Sequence, residues 1–185
     1  MCWGALLHSC TGWRRYTLTV SDPQLFELSR RVGEYLLGAQ RHLVTAESCT
    51  GGWIAKALTD VAGSSAWFDC GFVTYSNDAK VRDLGVTRES LERFGAVSEP
   101  VVREMAAGAL RVTGADVSIA VSGIAGPDGG TPEKPVGTVW FCTGVRRGEA
   151  LDLVARLEIF DGDREAIRRS AVAYALKLIL QLDLR

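Results

Sequence analysis

The sequence predicts an α/β protein with three layers, α/β/α, a mixed sheet and a single domain. Three observations predict it. Helical and strand signals alternate from Ser21 to Ser122. Two glycine-rich loops each follow a strand signal. A hairpin pattern, Thr138 to Val145 and Ala150 to Phe160, precedes a last helix. A length of 185 residues suits one domain with its own core.

Each element has a local reason. Ser21-Asp22-Pro23-Gln24 is a capping-box helix start, followed by Leu25, Leu28, Val32, Tyr35, Leu36 and Ala39 at helical spacing. His42 to Ala46 is a short strand. Gly51 and Gly52 turn the chain into a helix from Trp53 to Ala62, whose apolar face is Ile54, Leu58 and Val61. Cys70 to Tyr75 is a second strand, and Asn77 caps a short helix that carries Lys80 and ends at Gly85. Thr87 opens another short helix that ends near Gly95. Ser98-Glu99-Pro100 opens a longer one, because proline is tolerated in a first turn. Asp116 to Ser122 alternates as a strand, and residues 123 to 137, with five glycines and three prolines, form a loop. Arg-Arg-Gly-Glu joins the two hairpin strands, and Asp161-Gly162-Asp163 opens the final helix.

Composition narrows the function. The formal net charge is -1, against the basic face that general nucleic-acid binding needs. No stretch is long and apolar enough for a membrane span, and the first residues lack the charged start of a secretory signal. The expected location is therefore the cytoplasm. Five cysteines at irregular spacing argue for free thiols and against a disulfide framework or zinc site. The only histidines are His8 and His42.

In open α/β sheets ligands gather beyond the carboxyl ends of the strands. The loops Glu47-Ser-Cys-Thr-Gly-Gly52 and Ser122-Gly-Ile-Ala-Gly-Pro127 both lie there, and both line one pocket if their strands are neighbours. Neither is a nucleotide-binding fingerprint. Ser48 stands at a strand-to-helix junction, either as a nucleophile beside free helix amides or as a helix cap. Glu47 either shapes the turn or touches the ligand. A nucleophilic serine needs a base. His42, at the start of a strand, belongs at the far end of the sheet, so a Ser-His-Asp triad is not expected. Lys80 can serve if burial lowers its pKa; otherwise it is a surface lysine. Cys49 is a rival nucleophile or a small buried hydrophobe. Arg164, at the start of a helix, calls for an anion or for Asp161 or Asp163. Arg168 and Arg169 are read as solvated, and Trp53, Trp67 and Trp140 as core.

Taken in order, ESCTGG, GSSAWF, GFVTYSNDAK, GAVSEPVV, SGIAGPDGGTPEKPVGTVWF and FDGDR resemble the CinA C-terminal domain family in its stand-alone, nicotinamide-mononucleotide-deamidating form. The resemblance covers residues 20 to 185. It implies hydrolysis of the carboxamide of nicotinamide mononucleotide to nicotinic acid mononucleotide and ammonia, with no metal and no cofactor. Ser48 would be the nucleophile and Lys80 its base. Substrate-binding positions implied are Glu47, Thr50, Gly51, Gly52, Tyr75, Asn77, Ser122, Gly123 and Gly126, with Arg164 on the phosphate. A homo-oligomer, a dimer on base rates, is expected, with no nucleic-acid or membrane partner.

Residues 1 to 19 match nothing in the family and are expected to stand outside the fold, consistent with a gene start near Val20. The additional N-terminal domain of many relatives is not expected in this chain. Two rival readings remain: a non-catalytic nucleotide-binding regulatory module, and a cysteine hydrolase acting through Cys49.

Overall fold

The computed structural model describes Arg15–Tyr16 and residues 18–185. A single sheet of six strands runs in the order β1-β6-β5-β4-β2-β3. The strands are β1 (Arg15–Tyr16), β2 (Leu43–Glu47), β3 (Phe68–Val73), β4 (Val117–Gly123), β5 (Thr138–Arg147) and β6 (Ala150–Phe160). β2 pairs in parallel with both β3 and β4, while β5 is antiparallel to both β4 and β6. The mixed sheet expected from sequence is therefore present.

Six helices cover it: α1 (Asp22–Ala39), α2 (Trp53–Thr59), α3 (Asn77–Leu84), α4 (Arg88–Phe94), α5 (Glu99–Thr113) and α6 (Arg164–Ile179). Strand alternation divides the core into two halves. Leu43 of β2 and Val117, Ile119 and Val121 of β4 pack against α1, α2 and α6. Val44, Ala46 and Ala120 face the other way, onto α5 and the end of α3. These two halves are the outer seams of the three-layer sandwich.

Several boundaries differ from the sequence reading, for local reasons. The Ser21 box forms as expected: the Ser21 amide donates to the Gln24 side chain at 2.8 Å. Helix α3 is capped by Ser76, not Asn77. Ser76 has an extended backbone and its hydroxyl accepts from the Ala79 amide at 3.1 Å. The hairpin turn is shorter than Arg-Arg-Gly-Glu, since Arg147 still pairs with Ala150. Gly148 takes φ 61 as the first residue of this two-residue turn, which favours glycine there. Close packing also sets where α3 can lie. A Cβ on Gly108 would come within 1.9 Å of the Leu84 carbonyl, so only glycine lets α5 meet the end of α3.

The N-terminal expectation needs a partial correction. Residues 1–14 and 17 lie outside the described residues. Arg15–Tyr16, however, pairs in parallel with Ile159 and Phe160, and the Leu18 amide donates to the Ser170 hydroxyl at 3.2 Å. The outer edge of β6 offers unpaired backbone groups, and this short segment satisfies some of them.

Candidate functional site

The site forms where the strand order reverses. The chain passes from β2 to β3 on one side, then returns to β4 on the other, so β2 and β4 are neighbours with their carboxyl ends together. The two glycine loops therefore do lie side by side. The Ser48 amide donates to the Val121 carbonyl at 3.0 Å and joins them.

The turn after β2 is held by a buried carboxylate. Glu47 is fully buried and points toward α2. Its oxygens accept from the Thr50 hydroxyl at 2.7 Å, the Ile54 amide at 3.0 Å and the Ala55 amide at 2.8 Å. A carboxylate at a helix N-terminus satisfies orphan amides and faces the favourable end of the dipole. Glu47 and Thr50 thus build the turn, and their side chains are engaged with each other. Gly51 and Gly52 supply the left-handed geometry, with φ of 63 and 89. Replacing Glu47 with alanine leaves a hydroxyl and two amides without their acceptor. Loss of about 2–4 kcal/mol is expected in urea denaturation, with a smaller loss for Glu47→Gln, which keeps one oxygen.

Ser48 points to the opposite face of the sheet, where Lys80 meets it. The Lys80 ammonium donates to the Ser48 hydroxyl at 3.0 Å and to the Thr74 carbonyl at 2.7 Å. Lys80 is only 1% exposed, so it is no surface lysine. Burial lowers its pKa from the 10.5 of a solvated lysine to about 8. No carboxylate forms an ion pair with it among the described residues. An amine whose charge is destabilised, in contact with a hydroxyl, is a poised acid–base pair.

Cys49 faces the other half of the core, away from Ser48. Burial pushes its thiol up to about 12, so the thiolate is scarce at neutral pH. This is the behaviour of a small buried hydrophobe, not an activated nucleophile. His42 sits just before β2, at the opposite end of the strand from Ser48, with its amide on the Asp116 carboxylate at 2.8 Å. His8 lies outside the described residues.

Arg164 ties the rim together. It is the first residue of α6, capped by Asp163, whose carboxylate accepts from the Ala166 amide at 2.9 Å. Its guanidinium donates to the Gly126 carbonyl at 2.6 Å and to the Tyr75 hydroxyl at 2.9 Å. Tyr75 follows β3 and Gly126 follows β4, so one arginine spans both loops across the end of the sheet. The Asp163 carboxylate serves as the cap of α6. Asn77 is exposed at the start of α3, on the segment between Tyr75 and Lys80. Ser122 lies beside Ser48, one residue beyond the last β2–β4 pair and on the same face of the sheet, and its buried hydroxyl donates to the Ala96 carbonyl at 2.8 Å, binding β4 to the segment before α5. Gly123 lies at the end of β4, where a Cβ would come within 2.7 Å of Val139.

Arg168 was read as solvated, and the structure corrects this. It is half-buried and donates to the Cys49 carbonyl at 3.1 Å and the Thr50 carbonyl at 2.8 Å, while lying 5.3 Å over the Trp53 ring. Its neighbour Arg169 stacks on the same ring at 5.0 Å and pairs with Asp22 and Glu165. Trp53 packs partly buried against the core, as expected, and also carries two arginines, while Trp67 is core at 2% exposure. The missed signal was spacing. Arg164 and Arg168 are four apart, so they share one face of α6.

Among the described residues no group of three His, Cys, Asp or Glu is placed to hold a metal ion. No helix among them is long and apolar enough to cross a membrane.

The chain is similar over most of its length to known proteins. The CinA C-terminal domain profile matches residues 25–182. The nicotinamide-nucleotide amidohydrolase PncC of Escherichia coli K12 is 57% identical over 162 residues, covering 88% of this chain and 96% of that protein. The protein of the same name from Pseudomonas putida is 52% identical, covering 87% and 98%. The crystal structure of a competence/damage inducible protein from Agrobacterium tumefaciens superposes with a TM-score of 0.81 at 45% identity, covering 89% and 97%. The chain belongs to the CinA C-terminal domain family.

Proposed function

We propose that this chain hydrolyses the carboxamide of nicotinamide mononucleotide to nicotinic acid mononucleotide and ammonia, within residues 20–185. The observation that carries the chemistry is the 3.0 Å contact between buried Lys80 and Ser48. The substrate comes from the amidohydrolases that match nearly the whole chain.

The reaction runs in two halves. Neutral Lys80 keeps its donation to the Thr74 carbonyl and accepts the proton of the Ser48 hydroxyl, reversing the sense of their contact. The Ser48 oxygen attacks the carboxamide carbon, and backbone amides of the turn stabilise the oxyanion. The Ser48 amide is already on Val121 and the Gly51 amide on the Ser48 carbonyl, so the donors are among Cys49, Thr50 and Gly52. Protonated Lys80 returns the proton to the departing nitrogen, and ammonia leaves. Lys80 then takes a proton from water, which cleaves the ester on Ser48 and frees the acid. The substrate's pyridinium withdraws electrons from the amide. Its positive charge also disfavours the ammonium form of Lys80.

Arg164 supplies the phosphate contact. Two of its donors are held by Gly126 and Tyr75, which fixes the guanidinium while leaving others for an anion. Arg164→Gln is expected to raise the KM for nicotinamide mononucleotide by roughly 10- to 100-fold, with a smaller change in kcat. Steady-state ammonia release measures this. The same variant should hardly alter turnover of nicotinamide riboside, which lacks the phosphate.

The reading is tested by ammonia release from nicotinamide mononucleotide by the folded protein. No release would favour a binding module instead. We place the reaction in the cytoplasm, supported by the free thiols of Cys49, Cys70 and Cys142. A homodimer is the assembly we propose, on the prevalence of two-fold symmetry. The net charge of -1 favours a small-molecule substrate over nucleic acid.

A further inference from the structure

We propose that Arg168 is a positioning residue for this hydrolysis, aiming the Thr50 amide at the oxyanion by holding the carbonyls on its other side. The inference rests on the Ser48 reading above.

The argument is one of peptide geometry. In a trans peptide the C=O and the following N–H point in opposite directions. Arg168 holds the Cys49 carbonyl through Nε and the Thr50 carbonyl through Nη2. The two peptide planes therefore turn their N–H groups away from α6. The second plane shows the effect directly. The Gly51 amide, opposite the Thr50 carbonyl, lands on the Ser48 carbonyl at 3.0 Å. The first plane carries the Thr50 amide, opposite the Cys49 carbonyl. Among the described residues no backbone carbonyl accepts from it. Of the three candidate donors, Cys49, Thr50 and Gly52, it is the one whose peptide plane Arg168 holds from the carbonyl side.

The rest of Arg168 fits this role. Among the described residues no carboxylate pairs with it, so its charge is directed at the two carbonyls. Bonding a cation to a carbonyl polarises the peptide and strengthens its N–H as a donor. The Trp53 ring fixes the guanidinium from one side. On the far side of the turn, Glu47 holds Thr50 by its hydroxyl. Thr50 is thus gripped at its side chain and at its carbonyl, which leaves its amide little freedom.

The test is steady-state hydrolysis of nicotinamide mononucleotide by wild type, Arg168→Met and Arg168→Lys, with thermal unfolding of each. Methionine keeps the packing on Trp53 and removes both donors. The expected result is a kcat lowered about 100-fold in Arg168→Met, the loss typical of one oxyanion donor, with KM within about threefold. Arg168→Lys, which can reach one carbonyl, should fall between. Wild-type turnover with kcat unchanged in both variants would overturn the inference while leaving the Ser48 reading intact. A raised KM at unchanged kcat would overturn it too, because Arg168 would then serve ground-state binding. Absence of wild-type turnover would instead remove the reading on which the inference rests. If Arg168→Met does not fold, the kcat of Arg168→Lys decides alone.

Discussion

Ser48→Ala is expected to lower ammonia release from nicotinamide mononucleotide by roughly 10⁴-fold or more, the scale on which enzymes lose activity with their nucleophile. Among the described residues the hydroxyl is the one side-chain group that hydrogen-bonds Lys80. Removing it leaves the turn intact, since the backbone amide still meets Val121 and Glu47 still holds Thr50 and α2. Substrate binding should therefore survive, and KM or direct binding should change little. Residual release at a substantial fraction of wild type would mean that water attacks directly, or that another group accepts the acyl chain. Cys49 is the neighbour in sequence, but its thiol is buried on the other face and raised to about 12. Alkylation is expected to spare it in the folded protein.

Lys80→Met should lose activity on a similar scale, at least about 10³-fold, and should also change how stability depends on pH. Lys80 titrates at about 8 in the folded chain and near 10.5 when solvated. Between those values the unfolded chain binds more protons, so wild-type stability rises as pH increases through the window. Below pH 8 both states are protonated and the folded state carries the full cost of a buried ammonium. The shift corresponds to roughly 3 kcal/mol across the window. Urea denaturation from pH 7 to 10.5 should show this rise in wild type and a flatter profile in Lys80→Met. A parallel pair of profiles would mean that Lys80 is not destabilised by burial. The same pKa predicts that kcat/KM climbs with pH through about 8 in wild type, as the neutral amine becomes the main form.

How much of this was legible in the sequence can be traced residue by residue. The β2-turn-α2 unit was readable because a short strand ran into two glycines and then into helical spacing. The neighbourhood of the two glycine loops was conditional on strand order, which no local pattern encodes. It follows from the return of the chain across β2 after β3. Lys80 could be named as a candidate but not as buried, because its own helix is polar and the cover comes from the packing of α3 on α5. Glu47 was open between the turn and the ligand, and its oxygens accept from amides of α2, while the Ser122 hydroxyl, implied on the substrate by the resemblance, donates to Ala96. Backbone groups that need partners are invisible to a side-chain motif. Arg168 was missed for the same reason: its partners are carbonyls more than a hundred residues away.

The account stands on a covalent intermediate at Ser48, and that is the measurement to make. Wild-type protein mixed with nicotinamide mononucleotide, quenched in acid within the first turnover and digested, should yield a Ser48 peptide heavier by the nucleotide's acyl group. Hydroxylamine in the mixture should divert part of the product to the hydroxamate. A label on Cys49, or turnover that gives neither acyl peptide nor hydroxamate, would contradict the mechanism.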